Sequence, residues 1–211
     1  MVAVAQTQLV PEEPEEQADA CVVLRDVPWS VYKALDAARG ENPRPRFYYF
    51  EGVLEIMNTS RRHENVKTTI GRIIELYADS IDVELEGTGS FTLERAKLKR
   101  AAEADESYFV GPGSAEREMP DLAIEVVLTS GGINKLALYK SLGVREVWFW
   151  YPKKKKLAVH VLAGSEYEAR SRSSAFPELD LDLVASCVSL GDQIQAVRAF
   201  KQSLQNPPSS P

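Results

Sequence analysis

The strongest periodic signal lies at residues 61–79, RRHENVKTTIGRIIELYAD, where Val66, Ile70, Ile73, Ile74 and Tyr77 recur on one helical face. This spacing predicts a helix, with Ser60 placed to cap its start. A shorter helix is predicted from Trp29 to Arg39, stopped by Gly40. Residues 46–51 and 53–57 read as two strands that turn at Glu51-Gly52. Two or three strands are expected within 82–110, the last at 106–110.

The stretch from 120 to 152 carries the most information. An apolar run at 122–128 is broken by Thr129-Ser130-Gly131-Gly132, and a helix is predicted at 133–142, ending at Gly143. Residues 146–151, EVWFWY, are too apolar and aromatic for anything but a covered strand. Strand, short helix and strand with short joints make a βαβ unit, hence a parallel pair. Strands at 157–162 and 166–172 follow, and Ser189 with Asp192 resembles a capping box opening a last helix to about Leu204. The expected fold is α/β, a single domain with helices flanking one mixed central sheet.

Composition narrows the class further. At 211 residues and 23.5 kDa, with 44% hydrophobic and 27% charged residues, the chain is long enough for one proper core. No apolar run approaches a membrane span, and the first 20 residues lack the basic and apolar regions of a secretory signal. Asp19 and four glutamates fall within residues 1–20 without a basic residue, so this segment reads as a disordered acidic tail. The domain is then expected over 21–205, with a second disordered tail at 206–211. The rest of the net charge of −6 is near balance, which is not the basic footprint of a dedicated DNA-binding protein. Cys21 and Cys187 have no pairing or metal spacing, which suits a reducing cytoplasm and excludes a thiolate zinc site.

The chemistry must therefore rest on carboxylates. The sequence has no phosphate-binding glycine loop, dinucleotide fingerprint or nucleophile elbow. His63 and His160 are too few for a multi-histidine metal site, so any metal held mainly by carboxylates would be Mg²⁺, Mn²⁺ or Ca²⁺ rather than zinc. Glu125 interrupts the apolar run IEVVL, where an unpaired carboxylate would be costly. Strand alternation sets Asp121 on the same face, with the small Ala123 between them; the bland reading is two solvated or salt-bridged strand-end acids. Lys135 lies in the helix after the glycine break, so the βαβ geometry returns it toward Glu125, unless it is an ordinary surface lysine. Asp105 forms an acidic cluster with Glu103 and Glu106 or merely opens a solvated strand. His63 and Glu64 begin the long helix, where the helix dipole alone would favour a carboxylate. The lysines at 153–156 form a solvated hairpin turn or contact phosphate.

Together these residues resemble the PD-(D/E)XK nuclease superfamily, and more closely the Uma-type family of "putative restriction endonucleases". The resemblance covers roughly residues 24–190. It is carried by LEIM at 54–57, HE at 63–64, EADESYFV at 103–110, PDLAIEVVLTSGG at 120–132, KLALYKSLGV at 135–144 and EVWFWYP at 146–152. It implies a restriction-endonuclease-like fold, with Asp105 as the first aspartate, preceded by Ala104 in place of the usual proline. Glu125 matches the acidic position. Val127 stands where the lysine belongs, and Lys135 on the next helix matches it instead. Asp121 follows Pro120 but lies too close to Glu125 to be the first aspartate, and ranks with His63 below the others.

The resemblance further implies metal-dependent hydrolysis of DNA. Asp105 and Glu125 would hold Mg²⁺ or Mn²⁺, Glu64 would be a third ligand, and Lys135 the catalytic cation. A homodimer would supply one site per strand, and the aromatic strand 146–151 is a candidate for the shared surface. Two other readings stay open: a nuclease-fold binding module without catalysis, and a DNA-processing subunit directed by a targeting partner.

Overall fold

A computed structural model describes residues 19–206, apart from 43, 90, 129 and 130. The expectations for tails within 1–18 and 207–211 lie outside the described residues. Eleven strands form two sheets among these residues. The first sheet contains β1 (Ala20–Leu24), β2 (Arg46–Phe50), β3 (Val53–Asn58), β5 (Thr92–Arg95) and β6 (Arg100–Glu103), in the order β1-β3-β2-β6-β5. The second contains β4 (Leu85–Gly87), β7 (Glu106–Val110), β8 (Leu122–Val126), β9 (Glu146–Tyr151), β10 (Lys156–Ala163) and β11 (Glu166–Arg170), in the order β11-β10-β9-β8-β7-β4. All pairs are antiparallel except β8 with β9, the parallel pair of the βαβ unit.

The helices are α1 (Trp29–Arg39), α2 (Arg61–Ser80), α3 (Lys135–Leu142), α4 (Leu181–Val188) and α5 (Gln193–Gln205). Alternation along β8 and β9 sorts the core. Leu122, Ile124, Val126, Trp148 and Trp150 face Ile70, Ile73 and Ile74 of α2 with Phe176 and Phe200. Burying each such aliphatic side chain stabilises by roughly 1.5–3 kcal/mol. Ala123, Val147 and Phe149 face the other way, toward Leu138, Tyr139 and Leu142 of α3 and toward Tyr48, Ala102 and Ala104. Glu125 shares that second face with Ala123 by strand alternation. The face is covered by α3 and the first sheet, which is why a carboxylate there must find partners.

Some expectations need correcting. The expected single α/β domain flanked by helices is present, but among the described residues its strands form two sheets rather than one, and the chain passes between them at residues 104–105, from the end of β6 to the start of β7. The described residues within 82–110 hold four strands, not two or three, because the short β4 and the β5–β6 hairpin give little periodic signal. Helix α4 was not anticipated. The last helix is capped by Asp192, whose side chain accepts from the Gln195 amide at 2.7 Å. Ser189 instead donates to the Ala185 carbonyl at 2.6 Å, because Gly191 with φ 76° interrupts any helix running from 189. Asp19 is buried and Ala20 opens β1, so the domain takes in both residues that composition assigned to the tail. Strand β9 lies inside its sheet with Trp148, Phe149 and Trp150 buried, so it offers no shared surface.

Candidate active site

The site lies at the C-terminal end of β8, where β7, α3 and the first sheet meet. Glu125 is 2% exposed. Its Oε2 accepts from Lys135 Nζ at 2.7 Å and from the Tyr48 hydroxyl at 3.2 Å. Its Oε1 accepts from the Tyr139 hydroxyl. Lys135 opens α3, whose first turn is capped by Asn134 accepting from the Ala137 amide at 3.1 Å. The ammonium also stands 3.5 Å from the centroid of the Tyr48 ring.

These contacts bear on the charge state of Lys135 and of the two tyrosines. Burial works against the Lys135 charge, but the Glu125 carboxylate outweighs it, with help from Tyr48, and the pKa is raised. Burial, then the neighbouring Glu125, raises the Tyr48 and Tyr139 hydroxyls as well, so both remain donors. At neutral pH Lys135 is thus a fixed cation. It is suited to stabilising negative charge and not to accepting a proton.

Asp105 is fully buried at the crossing between the sheets. Its amide donates to the Ile124 carbonyl at 3.1 Å, and its Oδ2 accepts from the Val126 amide at 2.6 Å. The two bonds bracket Glu125, and extending the Glu106–Ile124 register by one residue sets Asp105 opposite it. Asp105 Oδ1 forms an ion pair with Arg46 and lies 2.9 Å from His63 Nε2. His63 Nδ1 in turn lies 2.7 Å from Asp19 Oδ2, while Asp19 Oδ1 accepts from the Ser60 amide at 2.7 Å. Burial tends to raise the Asp19 pKa, but the hydrogen bonds to His63 and the Ser60 amide outweigh it and hold the carboxyl low.

Glu64 reaches Asp105 only through Arg46, whose Nη2 donates to Glu64 Oε1 at 2.8 Å. It also accepts from the Thr59 hydroxyl at 2.7 Å and pairs with Lys67 at 3.3 Å. Burial opposes its charge, yet Thr59, Arg46 and Lys67 together keep its pKa below the usual glutamate range. Asp121 is engaged elsewhere. It pairs with Arg117, accepts from the Val110 amide at 2.9 Å and lies 3.4 Å from Arg145. Four residues of strand separate it from Glu125, about 13 Å at roughly 3.3 Å per residue.

The structure therefore pairs Lys135 with Glu125, sets Asp105 at the facing position of the neighbouring strand, joins His63 and Glu64 to Asp105 as its surroundings, and leaves Asp121 apart. Sequence reasoning passed over Arg46, Tyr48, Tyr139, Asp19 and Glu55. Arg46 and Tyr48 stand two apart in RFYYF, so strand alternation alone would have put a cation and a hydroxyl on one face. Glu55 interrupts the apolar LEIM as Glu125 interrupts IEVVL, and the same argument from burial applied to both.

Comparison with known proteins gives this arrangement a context. The sequence model of the Uma2 family, described as "Putative restriction endonuclease", matches residues 29–190. The chain belongs to the Uma2 family. The match spans α1 through α4, the region that carries Asp105, Glu125 and Lys135. The chain is also similar to the crystal structure of "a putative nuclease belonging to DUF820" from Anabaena variabilis ATCC 29413. The identity is 15%, the TM-score 0.44, and the match covers 74% of this chain and 92% of that one. No curated protein matches the chain. No helix among the described residues is long and apolar enough to cross a membrane.

Among the described residues, no three His, Cys, Asp or Glu side chains come together as a metal cage. A small hard cation takes one or two carboxylates and completes its shell with water and phosphate oxygens, and Asp105 and Glu125, buried at facing strand positions, are the carboxylates that would supply them. Asp105 Oδ1 already faces the Arg46 guanidinium and His63 Nε2. An ion bound there would compete with Arg46 for Asp105 and with Lys135 for Glu125.

Proposed function

We propose that the protein is a metal-dependent endonuclease that hydrolyses DNA phosphodiester bonds. The observation that carries this reading is the return of Lys135 from α3 onto Glu125, with Asp105 bracketing Glu125 from the neighbouring strand. Asp105 and Glu125 would hold Mg²⁺ or Mn²⁺, which would polarise a phosphoryl oxygen and lower the pKa of a bound water. Lys135, held as a cation, would offset the charge that develops on phosphorus-bound oxygens in the transition state. Tyr48 and Tyr139 orient the Glu125 carboxylate by donating to both of its oxygens. Arg46 and His63, the latter braced by Asp19, hold Asp105 in place.

A DNA substrate and two free cysteines, Cys21 and Cys187, fit a cytoplasmic protein. Cleavage of both strands favours a homodimer, and the near-neutral domain gives a targeting partner a place in site selection. One observation favours the second reading, a nuclease-fold binding module. Both carboxylates are buried against cations of the chain itself, Arg46 and Lys135.

Calorimetric titration separates the two. Mn²⁺ is titrated into wild type and Glu125→Gln, each alone and with a short DNA duplex. The endonuclease reading expects binding to wild type that strengthens with DNA and is lost in the variant. Equal heats for both proteins, with DNA present, would support the binding module.

A further inference from the structure

Glu55 sits in β3 between Leu54 and Ile56 and is fully buried. The β2–β3 register sets it opposite Tyr48, the ring beneath the Lys135 ammonium. Its partners among the described residues are two consecutive main-chain amides. Oε2 accepts from Gly132 at 2.7 Å and from Ile133 at 3.3 Å. Oε1 has no hydrogen-bond partner among the described residues. A strand position this deeply buried would accept an apolar side chain at lower cost than a carboxylate whose hydrogen bonds come from main-chain amides. The carboxyl group therefore has a use at this place.

The turn it grips runs flush against the first sheet. A Cβ at Gly131 would overlap the Glu55 carboxylate, and one at Gly132 would lie 2.5 Å from Val23 Cγ1 of β1. Only glycines allow the backbone to approach so closely. Asn134 and then Lys135 follow at once, the first as the cap of α3 and the second as its first residue. The position from which Lys135 reaches Glu125 is thus fixed two residues upstream, at the Glu55 anchor.

We propose that Glu55 is the positioning residue for Lys135: its carboxylate clamps the Gly131–Ile133 turn to β3 and so delivers the ammonium onto Glu125. The catalytic consequence rests on the nuclease reading; the placement itself does not.

The test combines two readouts on the full chain. The first is NMR of ¹⁵N-labelled protein, following the Lys135 side-chain ammonium signal and hydrogen exchange of the Gly132 and Ile133 amides. Glu55→Ala should speed exchange of both amides at least tenfold and abolish the ammonium signal, while the α2 amides stay protected. Glu55→Gln, which keeps one acceptor oxygen, should show a smaller change. If Glu55→Ala does not fold, Gly131→Ala carries the same measurement, because its methyl group pushes the turn off the carboxylate. Unchanged exchange and an intact ammonium signal in a folded variant would overturn the proposal. The second readout is DNA cleavage, in which Glu55→Ala should lower kcat at least tenfold with KM within twofold. It should add nothing in a Lys135→Ala background, and an equal further loss there would overturn the proposal. Loss of the ammonium signal in a protein that cleaves no DNA would uphold the placement and overturn the nuclease reading alone.

Discussion

Replacing Lys135 with methionine isolates the interaction on which the site depends. The variant keeps most of the apolar stem against Tyr48 but removes the ammonium, leaving Glu125 buried with only the Tyr48 and Tyr139 hydroxyls as donors. Removing one partner of a buried ion pair costs about 3–5 kcal/mol, because the remaining charge is uncompensated. The surviving hydroxyl donors soften that cost, since each hydrogen bond to a charged group contributes about 1.5–3 kcal/mol. The expected loss is therefore near the lower end, about 3 kcal/mol. Glu125→Gln should cost a similar amount, and the double variant less than the sum by about 2 kcal/mol, the mark of a direct pair. Equilibrium urea unfolding followed by fluorescence of the buried Trp148 and Trp150 measures all four proteins. A Lys135→Met variant within about 0.5 kcal/mol of wild type, typical of an unconstrained surface position, would refute the pairing. So would single effects that simply add.

The remaining predictions address the surroundings of the site and the corrected parts of the fold. The Asp19 pKa lies below its ordinary 3.8, so ionised Asp19 stabilises the fold above that value and the contribution is lost as pH falls through the lowered one. Asp19→Asn should cost about 1–3 kcal/mol at neutral pH, and its difference from wild type should close in acid; a gap that persists at low pH would contradict the sign. Asp192→Ala should lose about 1 kcal/mol of stability as the cap of α5. Ser189→Ala should lose clearly less, and the reverse order in thermal melts would restore the capping box. Asp121→Asn should leave Mn²⁺ binding unchanged in calorimetry, because its partners are Arg117, Arg145 and the Val110 amide.

Elements whose residues carry their own period were legible in the sequence. Helix α2 announces itself through Ile70, Ile73 and Ile74, and α1 through a run that ends at Gly40 with φ 62°. The βαβ unit was legible because β8 and β9 are covered on both faces, so their composition is apolar apart from Glu125 and Glu146. The division into two sheets was not, because it depends on which strands pair across long separations, and β4 has only three residues to signal it. The acids of the site were found as anomalies, carboxylates where burial should forbid them. Their cations and hydroxyls were harder to see: an arginine or tyrosine in a strand such as RFYYF is ordinary until its partner is known. Asp19 was hidden by its neighbours, since four nearby glutamates gave the whole segment the composition of a tail.

The central claim is that Asp105, Glu125 and Lys135 form one hydrolytic site, and nicking of supercoiled plasmid DNA tests it most directly. Wild type is compared with Asp105→Asn, Glu125→Gln and Lys135→Met, each with Mn²⁺, with Mg²⁺ and with chelator, after circular dichroism has shown that the variants are folded. The account predicts nicking by wild type that requires the metal and falls at least a hundredfold in each folded variant. Metal-dependent nicking that survives in all three variants would contradict it, as would a wild type that nicks no DNA under any of these conditions.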